Sequence, residues 1–458
     1  MNLFLPTDPR PLHFVGVGGA GMSALALIAL RRGLAVSGSD EDVAGCGDLI
    51  AAGAVIAQGS VPALAVAARA VIVSAAIPDE HPEVRAARSR GLAVVPRKHA
   101  LARLIGNTRS VAIAGTHGKT TTTVMTTEAL RATGLGVTGI AGGRVESWGG
   151  NALIGGDELF VVEADEYDKA FLTLDPTVAV VNNVEADHLE CYGSLEALEE
   201  AFVVFAGRAE RVLIGNDSGG ADRVAAGLPA ERVWRFGPSA PDLKLESIET
   251  DPAGSRATIS FPSGGTAAIA IRVPGMHNLR NATAALGVVS ALGGNVEAAA
   301  AALSAFQGVG RRFERLGDAA GVMLVDDYAH HPTEVRATLA AARQAFPGRR
   351  LVAVFQPHLY SRTEQHGDSL GDALAAADVV VVTDIYPARE APIPGVTGER
   401  VANAARDRGV QTVYEPVRDA LGERVVELLR AGDVVLTLGA GDITRLGPEL
   451  RGRLERSR

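Results

Sequence analysis

The chain of 458 residues is 47% hydrophobic and 21% charged, which suits a globular protein of roughly two to four domains. A formal net charge of -9 argues against broad nucleic-acid binding, and no apolar run approaches the roughly 18 to 20 residues of a membrane span. Only two cysteines, Cys46 and Cys191, rule out a disulfide scaffold, and the start MNLFLPTDPR lacks the features of an export signal, so a cytoplasmic protein is expected.

Residues 1–107 read as a small α/β unit. The apolar run His13-Phe14-Val15 turns into Gly16-Val17-Gly18-Gly19-Ala20-Gly21, a G-x-G-x-x-G turn that opens the helical stretch MSALALIALRRG. Asp40 closes the next strand, LAVSGSD, at the distance where an acidic residue meets a ribose hydroxyl. Taken alone, this is the fingerprint of an NAD-dependent enzyme. Further strands at 71–74 and 92–95 continue the alternation that builds a parallel sheet, the first of them ending at Ser74.

Residues 108–313 open on a second glycine turn. The strand Val111-Ala112-Ile113-Ala114 runs into Gly115-Thr116-His117-Gly118-Lys119-Thr120-Thr121-Thr122 and then into a helical stretch, which offers backbone N–H groups and a lysine to phosphates. The common P-loop would need glycine where Ile113 stands, so this is a shorter relative. Lysine occurs only four times in the chain, and a compact ammonium suits the terminal phosphates of a nucleotide triphosphate better than an arginine fork does. The hydroxyl of Thr120 would hold a magnesium ion by the same logic. The next two strands end in Glu163-Ala164-Asp165-Glu166 and in Asn182-Asn183-Val184-Glu185-Ala186-Asp187-His188, and the ends of buried strands are where doubly wound sheets bind ligands. Glu163 is the natural hard-cation ligand there, whereas a lone His188 is by default structural. A patch around 240–272 has the alternation of an antiparallel edge. Asn278 and Arg312, in GMHNLRNA and GRRFE, have the chemistry to meet an adenine edge and phosphates.

Residues 314–458 repeat the α/β pattern. Asp326-Asp327-Tyr328-Ala329-His330-His331-Pro332 joins the strand VMLV to the helical TEVRATLAAARQAF, and Asp327 is the expected nucleotide contact. Adjacent turn residues seldom all face one ion, so the two histidines do not make a zinc site. In FQPHLYSRT, Arg362 has the geometry to clamp a carboxylate.

The segments HFVGVGGAGMSALA, GTHGKTTT, EADEYD, NVEADH, GMHNLRNATAA, GRRFE, DDYAHHPTE, FQPHLYSRT and DIYPAREAPIPGVTGE span nearly the whole chain, and in this order they resemble the Mur ligase family. The resemblance implies an α/β protein of three domains, bounded at 1–107, 108–313 and 314–458. The first would be Rossmann-like and bind a UDP-sugar, the second a P-loop-type ATPase domain with a mainly parallel sheet, and the third Rossmann-like and amino-acid-binding. It reassigns the first glycine turn, with Gly16, Gly18, Gly19, Ala20, Gly21, Asp40 and Ser74, from a dinucleotide to the UDP-sugar. Gly115, Thr116, His117, Gly118, Lys119, Thr120 and Thr121 would bind ATP together with Asn278 at adenine, Arg312 at the phosphates and Asp327 at the ribose. Thr120, Glu163 and His188 would hold Mg2+, which restores His188 to the site. Tyr328, His330 and Arg362 would surround the incoming amino acid, with Arg362 on its carboxylate because Leu359 stands where many relatives have arginine.

The activity implied is ATP-dependent amide formation on the lactyl carboxylate of UDP-N-acetylmuramate through an acyl phosphate, with His331 or a nearby carboxylate as the candidate general base. Many members carry a carbamylated lysine after the histidine matching His188. The run 195–211 holds no lysine, which points to the branch that adds L-alanine. The alternatives are the branch that adds a preformed tripeptide and, from another class, an NAD-binding oxidoreductase. Small-molecule substrates, no nucleic acid, no membrane and a monomer or weak homodimer complete the expectation.

Overall fold

The computed structural model describes residues 3–5, 8–388 and 390–456, and the central strands of its sheets fall largely on buried apolar runs of the sequence. Strands β1 (Leu12–Val15), β2 (Val36–Asp40), β3 (Val55–Gln58), β4 (Ala70–Val73) and β5 (Ala93–Pro96) form a five-stranded parallel sheet in the order β3-β2-β1-β4-β5. The order reverses between β1 and β4, and the crevice beyond their carboxyl ends is where such sheets take ligands. His13 in β1 is a core histidine. Its Nδ1 lies 2.9 Å from Ser37 Oγ and its Nε2 3.4 Å from Glu83, which is also fully buried. Burial alone would raise the Glu83 carboxyl, but His13, the Ser39 hydroxyl and the Val61 N–H outweigh it and hold the group below its ordinary range.

The second sheet has ten strands: β6 (Ser110–Ala114), β7 (Val137–Val145), β8 (Gly150–Ile154), β9 (Leu159–Glu163), β10 (Val178–Val181), β11 (Arg211–Gly215), β12 (Val233–Pro238), β13 (Leu243–Asp251), β14 (Gly254–Ser260) and β15 (Thr266–Ile271). Their order is β15-β14-β13-β12-β11-β10-β6-β9-β7-β8, so β6 lies between β10 and β9, both parallel to it. All five residues of β6 are buried, because helices cover both faces of such a sheet. The 240–272 patch becomes edge strands, and in β15 only Ala267, Ile269 and Ile271 turn inward. Phe171 packs edge-on against Phe202 and stacks on Phe205, each at 5.0 Å between centroids.

The third sheet comprises β16 (Glu314–Ala319), β17 (Val322–Asp327), β18 (Leu351–Phe355), β19 (Val379–Val382), β20 (Gln411–Tyr414) and β21 (Val434–Leu438) in the order β16-β17-β21-β18-β19-β20. Only β16 runs antiparallel to its neighbour. The chain forms two compact units, one of Met1–Ser247, Ala257–Ile269 and Arg280–Ala305, the other of Ile248–Arg256, Ala270–Leu279 and Phe306–Arg458. Among the described residues, no helix is long and apolar enough to cross a membrane.

Candidate active site

At the end of β1 the chain turns through Gly16, whose N–H, like that of Val17, donates to Ser39 O, at 2.8 and 3.1 Å. Gly16 lies against Ser74 at the end of β4, so the expected Ser74 does reach this loop. Gly19 precedes helix Ala20–Arg31 and no side chain caps that helix, which leaves its first N–H groups for an anion. Asp40 takes part in the turn itself. Its Oδ2 accepts the Gly18 N–H at 2.8 Å and its Oδ1 the Asp42 N–H at 3.2 Å, so the carboxylate braces the turn. Arg97, which the sequence did not single out, stands over this turn: a Cβ on Gly21 would lie 2.8 Å from its Nη1. Its Nη2 is 3.9 Å from Asp165.

The second glycine turn follows β6, and the strands beside it end level with it, Ile113 opposite Glu163 and Ala114 opposite Val181. Gly115 and Gly118 take φ of +126° and +79°, a region that L side chains avoid. A Cβ on Gly115 would lie 2.9 Å from Asn182 N, and one on Gly118 would lie 2.8 Å from Asn281 Oδ1. The turn is laced to the end of β10. Thr116 N donates to Asn183 O at 3.1 Å, His117 N to Asn183 Oδ1 at 2.8 Å, and Asn182 Nδ2 to Thr122 Oγ1 at 3.0 Å. The His117 ring lies 3.4 Å from Glu185.

Lys119 begins helix Lys119–Ala132, whose Thr120 and Thr121 are buried. Its Nζ donates to Gly115 O at 2.8 Å and to both carboxylate oxygens of Glu166, each at 2.8 Å. Burial works against the ammonium, yet Glu166, Asp165 and Glu163 together raise its pKa above the ordinary lysine value, so it stays charged. Glu163 Oε2 accepts the Gly142 N–H at 2.7 Å, which leaves Oε1 for a cation. A threonine hydroxyl and a carboxylate are hard oxygen donors that fit magnesium. His188 has a left-handed backbone, φ +52°, and its ring stands 5.2 Å from Tyr167 and 3.3 Å from Glu190. It also lies near enough to Glu166 to act on its charge. Glu166 itself is buried, and Tyr192 Oη donates to its backbone carbonyl at 2.6 Å.

Asn278, Arg312, Asp327, Tyr328, His330, His331 and Arg362 all belong to the second unit. Asn278 is buried with its Nδ2 donating to Pro274 O at 2.7 Å. Asp327 ends β17 opposite Leu438 of β21, and Phe355 of β18 meets the same Leu438 from the other side. Its oxygens accept the N–H groups of Phe313 at 2.7 Å and Ala329 at 2.8 Å. Burial pushes its carboxyl up to about 6, against the opposing pull of Arg312 and of those two bonds. The guanidiniums of Arg311 and Arg312 flank the Tyr328 ring at 4.7 and 4.9 Å.

From Tyr328 a series of rings continues through His330 at 5.2 Å and His358 at 6.2 Å to Tyr386, stacked on His358 at 5.8 Å. Arg362, in helix Tyr360–Leu374, is buried with Nη1 3.4 Å from His358 Nδ1. Leu359 caps that helix with φ +68°. His331 is also a cap: its Nδ1 accepts the Thr333 N–H at 3.3 Å while Glu334 closes the capping box, so a base role would have to run through Nε2. His358 and Tyr386 were not anticipated, because their pairing arises between loops far apart in sequence.

Three family models match the chain: "Mur ligase family, catalytic domain" over residues 11–109, "Mur ligase middle domain" over 113–289, and "Mur ligase, glutamate ligase domain" over 311–441. The chain is 44% identical to the UDP-N-acetylmuramate–L-alanine ligase of Thermobifida fusca, over 98% of this chain and 99% of that protein. To the protein of the same description in Streptomyces coelicolor it is 43% identical, over 99% of both. A crystal structure of UDP-N-acetylmuramate-alanine ligase from Thermotoga maritima superposes with a TM-score of 0.85 at 28% identity, covering 98% of this chain and all of that one. A murein peptide ligase from Psychrobacter arcticus gives 0.74 at 26% identity, over 97% and 99%.

Proposed function

The chain belongs to the Mur ligase family, and from that premise we infer that it joins L-alanine to the lactyl carboxylate of UDP-N-acetylmuramate, using ATP, in peptidoglycan precursor synthesis. The observation that carries the chemistry is Lys119, a partly buried ammonium at the mouth of a glycine turn with acidic strand ends beside it. A carboxylate and a triphosphate repel each other, so their reaction needs fixed positive charge where the phosphates sit.

In this reading the lactyl carboxylate oxygen attacks the γ-phosphorus and the bond to the ADP oxygen breaks, leaving an acyl phosphate. The alanine amine then attacks the acyl carbon, gives up a proton and displaces phosphate. Lys119 and the N–H groups of the 115–119 turn hold the β- and γ-phosphates, with Arg312 also on the phosphates, Asn278 at the adenine and Asp327 at the ribose. Thr120, Glu163 and His188 would hold a magnesium ion, which would supply charge neutralisation on the phosphate oxygens. The turn at Gly16–Gly21 carries the diphosphate of the UDP-sugar. Arg362 binds the alanine carboxylate beside Tyr328 and His330, and His331 Nε2 is the base for the amine. The three binding tasks divide along the chain at 1–107, 108–313 and 314–458, in a cytoplasmic enzyme acting as a monomer or weak homodimer.

Release of ADP tests the function directly. It should require UDP-N-acetylmuramate and L-alanine together, and ATP turnover indifferent to either would refute the assignment.

A further inference from the structure

An ammonium has three N–H donors, and the short bonds of Lys119, at 2.8 Å, go to Gly115 O and to the two oxygens of Glu166, with a longer contact of 3.4 Å to Thr116 O. A phosphate oxygen can gain a donor from this lysine chiefly by taking it from Glu166. We propose that Glu166 is a positioning residue that holds Lys119 by its carboxylate and competes with the triphosphate for it. This rests on the reading of Lys119 as the phosphate-binding lysine.

The setting favours competition over idle pairing. Glu166 is 1% exposed and Tyr192 Oη donates to its backbone carbonyl, so the carboxylate that a phosphate would meet is shielded from solvent where it stands. Buried charges interact more strongly than exposed ones, and a buried carboxylate stripped of its partner is costly. Lys119 is therefore shared during the reaction. Glu166 keeps the ammonium aimed, the phosphate takes one of its donors, and the carboxylate weakens ATP binding in return for orientation. Asp165 and Glu163 add negative charge from the same strand end, but neither has a hydrogen bond to Nζ.

Glu166→Gln separates this from a structural role, because it removes the competing charge while keeping the size of the side chain. Binding of a non-hydrolysable ATP analogue with magnesium, measured by calorimetry, should tighten by about three- to tenfold, as loss of a charge-assisted competitor allows. The KM for ATP should fall with it, and kcat should fall because the ammonium is no longer aimed. A purely structural glutamate would instead weaken binding when replaced. Should Glu166→Gln not fold, Glu166→Asp, which keeps the charge but draws it back, should tighten binding by a smaller factor. Unchanged or weaker analogue binding in a folded variant overturns the proposal. Lys119→Ala serves as the control: if it leaves analogue binding unchanged, the reading of the loop itself has failed, whereas weakened binding there without tightening in Glu166→Gln refutes only the competition.

Discussion

Asp327 shows how one side chain can be chosen by its type in sequence and yet have its chemistry set by its surroundings. The fold raises its carboxyl from 3.8 to about 6, so the folded chain binds that proton more tightly than the unfolded chain does. Its contribution to stability is then greatest below the unfolded value and declines as pH rises through the window from 3.8 to about 6. Thermal melts of the protein and of Asp327→Asn should accordingly diverge in the variant's favour across that window and run parallel above it. A pH-independent difference would remove the basis for the shift. Arg362 makes the complementary case. Buried against His358 rather than waving in solvent, it is placed to meet a small carboxylate with little loss of side-chain freedom. Arg362→Ala should raise the KM for alanine on the order of tenfold or more while leaving that for ATP nearly unchanged, and equal changes in steady-state kinetics would defeat the role.

At the scale of elements, the glycine turn before helix Lys119–Ala132 works because the strands on either side of β6 end level with it. Its shortness relative to the common P-loop was legible in the sequence. What laces it to Asn182 and Asn183 was not, since those residues lie at the end of a strand adjacent to β6 only in the sheet. Gly118 is the test of that lacing. A side chain there meets both a left-handed backbone and the amide groups of Asn281 and Asn182, at 2.8 and 3.1 Å. Gly118→Ala should cost about 1 to 3 kcal/mol of stability and weaken ATP binding, with UDP-sugar binding unaffected in calorimetry. Tight ATP binding in the variant would mean that the turn can shift without loss. The elements of the second unit taught a different lesson. The rings of His358 and Tyr386 and the cap made by His331 arise where loops after β17, β18 and β19 meet, and no local pattern announces such pairings.

For the molecule as a whole, the choice of acceptor is the property that separates this chain from its relatives that use a peptide. A pocket for alanine rejects glycine through one methyl group, worth about 1 to 3 kcal/mol, or roughly 10- to 200-fold in kcat/KM. An acceptor panel of alanine, serine, glycine and a tripeptide, with UDP-N-acetylmuramate and ATP, should therefore give alanine first and glycine behind it by such a factor. Turnover with the tripeptide above that with alanine would move the protein to the other branch. The sequence by itself determined the three α/β segments, the two glycine turns and the acidic strand ends, because hydrophobic period and backbone freedom are local properties. It also carried the family, since nine motifs in fixed order leave little room for coincidence. Only the tertiary structure decided that Asp40 braces a turn, that Glu166 is buried on Lys119, that Arg97 stands over Gly21, and that Arg362 packs on a histidine. Each of these depends on which strands are neighbours and on what burial does to charge, and both are set by contacts between residues far apart in the chain.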